Sequence, residues 1–88
     1  MKLLVVILSD VDAENVLRKL IEAGYRATRI SSTGGFLRRG NTTLLMGMEE
    51  SKVDGALDII RANTKPPEDA GLHRATIFVL NLPRYEQV

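Results

Sequence analysis

The segment from Arg26 to Gly47, RATRISSTGGFLRRGNTTLLMG, gathers residue types suited to an anionic, aromatic ligand. Gly34 and Gly35 can take positive φ and leave main-chain N–H groups open to close approach. Successive exposed amides of this kind make an anion-binding nest. Arg38 and Arg39 follow, and a guanidinium fork matches the geometry of a phosphate. Phe36, set between glycines and arginines, is poorly placed for a core. It suits stacking on a nucleobase, and equally packing against a neighbouring subunit. Arg26 and Thr28 sit two residues apart, so on a strand they share a face and offer a charged fork beside a hydroxyl. A solvent-facing half of an antiparallel sheet would read the same way. Asn41 after Gly40 is either turn chemistry or an amide able to pair with a base edge. Gly47 interrupts an apolar strand, as a bulge or a close backbone approach does. A glycine-rich hairpin with a solvated basic tip is the plainer account of the same loop. A Walker loop is excluded, because no Gly-Lys-Ser/Thr follows and the next element is a strand.

Catalysis finds no comparable support. The chain has no cysteine, which removes disulfides, thiolate metal sites and cysteine nucleophiles. His73 is the only histidine and opens a strand without an evident partner, so neither a histidine metal site nor a nucleophile–base pair is expected. Glu49 and Glu50 beside Ser51 read as a helix N-terminus rather than an acid–base pair. No catalytic residue, metal or cofactor is therefore assigned. With 12 basic and 11 acidic residues the formal charge is +1, which opposes a nucleic-acid-coating protein. An RNA-binding module would also want more aromatics on an open sheet than two Phe and two Tyr supply. The opening MKLLVVILSD has one lysine and a short apolar run without a small-residue cleavage site, and is too short to cross a bilayer. A cytoplasmic location is the default expectation, with no membrane partner and no nucleic-acid polymer.

The elements that must position these residues follow from pattern. Lys2–Ser9 is leucine- and valine-rich without alternation, which predicts a central strand. Asp10 is placed to cap a helix in which Ala13, Val16, Leu17, Leu20 and Ile21 form an apolar stripe, closed by Gly24. Tyr25–Ser32 alternates, placing Arg26, Thr28 and Ile30 on one face. Thr42–Met48 is the next strand. Ser51 and Asp54 resemble a capping box for a second helix, where Val53, Ala56, Leu57 and Ile60 keep helical spacing. Lys65–Gly71 reads as a loop, and Arg74–Leu82 as the last strand, ended by Pro83. The order β-α-β-β-α-β predicts an α+β, ferredoxin-like domain over residues 1–88, with two helices on one face of a four-stranded antiparallel sheet. A domain this small buries a modest share of its surface and often gains stability by oligomerising.

The words YRATRISSTGGFLRRGNTTLLMG, the opening MKLLVVILSDVDA, ATIFVL (Ala75–Leu80) and Gln87 near the C-terminus resemble the cyclic-di-AMP receptor family of P-II-like signal-transduction proteins. The likeness spans nearly the whole chain, and T-G-G-F-L-R-x-G-N-T-T is its most specific word. It implies a ferredoxin-like subunit in a homotrimer, a cyclic dinucleotide in each cleft between subunits, an unidentified protein partner, and no reaction. Position by position it implies ligand contacts at Arg26, Thr28, Gly35, Phe36, Leu37, Asn41 and Gly47, with Phe78 and Gln87 from the last strand and the tail. Two departures stand out. The family carries a longer glycine-rich loop where this chain has only NTKPPEDAGLHR, and the tail YEQV lacks an aromatic after its glutamine. The alternative is a P-II-like trimer that binds another nucleotide or only a protein.

Overall fold

The computed structural model describes residues 1–31, 40–65 and 75–88. Strand β1 (Lys2–Ser9) leads into helix α1 (Asp10–Glu22). Strands β2 (Thr28–Ser31) and β3 (Asn41–Met48) follow, then a 3-10 turn (Glu50–Lys52), helix α2 (Val53–Ala62) and strand β4 (Ala75–Asn81). The strands form one antiparallel sheet in the order β2-β3-β1-β4. This is the ferredoxin-like βαββαβ arrangement that the element order predicts.

The lack of alternation in β1 follows from its central position between β3 and β4. Leu4, Val6 and Leu8 are buried on the helix side, while Leu3, Val5 and Ile7 are half-buried on the other, open face. Beside them Leu44, Met46 and Met48 of β3 meet Ala13, Val16 and Leu20 of α1 and Val53, Ala56 and Ile60 of α2. The apolar spacing of both helices is therefore the core contact itself. Ile21 is the exception to the α1 stripe: it is exposed, one step beyond the buried arc.

The helix ends differ from expectation in instructive ways. Ser9, not Asp10, is the N-cap of α1, its hydroxyl accepting from the Asp12 N–H at 3.3 Å. Asp10 is thereby available to tie α1 to β3: its N–H donates to the Gly40 carbonyl at 2.7 Å and its carboxylate accepts from the Thr42 hydroxyl. At the other end Gly24 takes φ of 91°, with Gly24 N–H donating to Ile21 O and Tyr25 N–H to Leu20 O. That pair of bonds is a Schellman closure, which favours glycine because left-handed backbone strains other residues. Ser51 and Asp54 form no capping box, because Ser51 is taken into the 3-10 turn and no side chain caps α2. Asp12, unremarkable in sequence, is nearly buried and accepts from the Lys65 N–H at 3.3 Å, holding the segment after α2 against α1.

Candidate functional site

The open face of the sheet carries the predicted ligand contacts that lie among the described residues. Cross-strand pairing aligns Thr28, Leu45, Val5 and Phe78 in one row over all four strands. Residues directly opposite each other share a face, so Thr28 and Phe78 point to the side away from the helices. Arg29, one residue on, turns to the helix side and meets Glu14 of α1 at 3.8 Å. The period-two reading of β2 thus holds, although the strand begins only at Thr28.

A groove of about 510 Å³ opens where the start of β1, the end of β3 and the approach to β2 meet. Arg26, Thr28, Gly47 and Gln87, drawn from three separate segments, all line it, together with Leu45 and Tyr85. Its volume lies within the range of small-molecule sites. A second depression of about 470 Å³ shares Arg26 and Gly47 and adds Tyr25, Glu49 and Lys52. Arg26 is exposed and enters no ion pair among the described residues. A guanidinium so placed can offer its full fork to an anion.

Gly47 sits opposite Leu3 in regular β pairing and does not have positive φ. A Cβ there would meet only Met1 Cε, at 3.8 Å. Neither backbone strain nor crowding within the described chain calls for glycine, and glycine weakens a strand interior. What its missing side chain leaves is open space in a groove that Arg26 also lines.

Tyr25 sets the chain direction into Arg26. Its hydroxyl donates to the Lys52 carbonyl at 2.8 Å, and its ring packs on the core between the end of α1 and the start of α2. This contact explains Gly55, an otherwise unfavourable residue inside α2: a Cβ at Gly55 would stand 2.5 Å from Tyr25 Oη. Glycine to alanine in a helix interior ordinarily adds about 1 kcal/mol of stability. Gly55→Ala is expected to add none, because Tyr25 must leave its acceptor. Chemical unfolding measures this directly, and a full gain would mean that Tyr25 moves aside without cost.

The C-terminal residues reach the groove by crossing the sheet. Leu82 N–H donates to Met1 O at 3.0 Å, carrying the β1–β4 pairing one step further. Pro83 then ends the ladder, having no N–H to give. Beyond it the side chains alternate: Arg84 and Glu86 pair with each other, while Tyr85 and Gln87 line the groove. Passing from β4 beyond β1 to β3 spans two strand spacings, roughly 10 Å, well within reach of a few extended residues.

Other predicted contacts are not gathered here. Phe78 is 51% exposed on β4, three strand spacings from Thr28 and so roughly 14 Å away. Asn41 stands at the opposite end of β3 from Gly47, about 20 Å along the strand at ordinary rise. Gly35, Phe36 and Leu37 lie outside the described residues, as do Arg38, Arg39 and His73. Tyr85 is the groove residue that sequence reasoning missed; its only signal was its alternation with Gln87 in a short tail. Among the described residues no cluster of three His, Asp or Glu side chains could hold a metal, and no helix is long and apolar enough to cross a membrane.

Fold and groove together place the chain among small ferredoxin-like α+β proteins with a ligand-sized opening on the sheet. The chain belongs to the cyclic-di-AMP receptor family, which it matches over residues 1–70. That family is one of signalling receptors, not of enzymes. The chain is also similar to a functionally unknown protein from Pediococcus pentosaceus, at 34% identity and a TM-score of 0.82. The alignment covers 99% of this chain and 96% of that one, so the likeness runs through β4 and the tail.

Proposed function

We propose that the chain is a cytoplasmic receptor for cyclic-di-AMP, acting as one P-II-like domain and holding the ligand in clefts between the subunits of a homotrimer. The observation that carries this reading is the convergence of Arg26, Thr28, Gly47 and Gln87 on one groove in a member of this family. Each brings a distinct capacity: Arg26 a fork for phosphate, Thr28 a hydroxyl and Gln87 an amide for base edges, Gly47 room for close approach. Gly35, Phe36 and Leu37 would add backbone donors and an aromatic face, and Asn41 a second amide.

The position of Phe78 supports the trimeric part. On the edge strand farthest from β2, it is well placed to face a groove on another copy. Val79 and Leu80 beside it are also about half exposed, an apolar edge that an assembly would cover. Ligand would act by favouring whichever arrangement of the receptor it contacts better, and so change what a protein partner meets.

Isothermal titration with cyclic-di-AMP, cyclic-di-GMP and ATP tests the proposal. Selective binding of cyclic-di-AMP near one per chain is expected. Failure of cyclic-di-AMP to bind a confirmed trimer would favour a P-II-like regulator of another nucleotide or of a protein alone. The short NTKPPEDAGLHR connection is the feature that favours that second reading.

A further inference from the structure

We infer that Tyr85 is a base-stacking residue of the ligand site, an assignment that rests on the receptor reading above and adds to it. Tyr85 lines the groove together with Arg26, Thr28 and Gln87. The alternating tail fixes this placement, because the Arg84–Glu86 pair occupies its other side. A tyrosine that serves only packing hides its ring, yet Tyr85 keeps 59% of its surface exposed. The chain's other tyrosine cannot take the part: Tyr25 is half-buried, with its hydroxyl committed to Lys52.

A nucleotide asks a site for three things: charge for phosphate, polar atoms for the base edge, and a flat surface for the base face. Arg26 provides the first, and Thr28 with Gln87 the second. Tyr85 provides the third within the same subunit. The described groove thus offers all three kinds of contact to one adenine half of a cyclic dinucleotide.

The absence of tryptophan makes the test simple, because tyrosine emission comes from Tyr25 and Tyr85 alone. Wild type, Tyr85→Phe and Tyr85→Leu are titrated with cyclic-di-AMP by calorimetry, with emission and thermal unfolding followed on the same samples. Wild type is expected to bind with quenched emission. Tyr85→Phe should bind as tightly, since the ring is kept, but lose the quenching of Tyr85. Tyr85→Leu should bind about tenfold to a hundredfold more weakly, the range that loss of a stacked base typically produces. Its unfolding temperature should not change, because an exposed tail residue supports little of the fold. Undiminished affinity in Tyr85→Leu, or an equal loss in Tyr85→Phe, would overturn the stacking role while leaving the receptor reading intact. Absence of binding by wild type would overturn both.

Discussion

An Arg26→Ala variant is expected to bind cyclic-di-AMP about tenfold to a hundredfold more weakly than wild type while unfolding at the same temperature. A hydrogen bond to a charged group contributes about 1.5–3 kcal/mol, and each 1.4 kcal/mol is a factor of ten. The cost to the fold should be small because Arg26 is exposed, precedes β2 and enters no ion pair among the described residues. Its role at the wall shared by the two depressions leaves it turned towards solvent rather than structure. Arg26→Lys separates charge from geometry, since an ammonium keeps the charge and loses the fork. If the fork grips a phosphate with two bonds, lysine recovers only part of the affinity. Equal affinity of Arg26→Ala and wild type by calorimetry would falsify the assigned site.

The largest effect on stability is expected at Leu44. It is fully buried in β3, paired across from Val6, and packs towards the helices. Leucine to alanine in such a place costs about 2–5 kcal/mol through lost burial and the cavity left behind. Small domains have about 5–15 kcal/mol in total, so the variant should unfold at least roughly 10 °C lower. Leu45, the next residue, faces the other way into the groove and is only half-buried. Leu45→Ala should therefore lower the unfolding temperature much less. The two adjacent variants form an internal control: equal losses would mean that the open face is as tightly packed as the core.

The fold was legible to the extent that burial follows local pattern. β1 runs from Lys2 to Ser9 as its composition predicts, and α2 buries Val53, Ala56 and Ile60 as their spacing requires. Capping was harder, because Ser9 and Asp10 are both good caps and long-range bonds decide between them. Once Asp10 accepts from Thr42 and donates to Gly40, Ser9 is left to close the helix. The capping box expected at Ser51 failed for a related reason: the chain enters α2 through a 3-10 turn, which changes the position of every residue relative to the first helical turn. In the groove, alternation suggested that Arg26 and Thr28 share a face but left a ligand wall and a solvent-facing sheet equally open, whereas Gln87 came only through resemblance. Tyr85 had only its alternation with Gln87 as a signal, and no local pattern reveals that a tail will cross two strands. Gly55 is similar: it looks like a helix defect until Tyr25 Oη is found beside it.

The crossing tail also bears on the order in which the molecule assembles. β1 pairs with β3 over moderate sequence separations, but with β4 across most of the chain, Lys2 lying opposite Asn81. Closing so long a loop is entropically costly and slow. Tyr85 and Gln87 can take their places only after that closure, because they follow β4. The groove is therefore expected to be the last part of the subunit to form, and on the proposed receptor reading an incompletely folded chain would not bind its ligand. Pulse-labelling hydrogen exchange during refolding should find β1 and β3 protected before β4; simultaneous protection would argue for a single concerted step. A receptor built in the proposed way would report on its messenger only once its own synthesis and folding are finished.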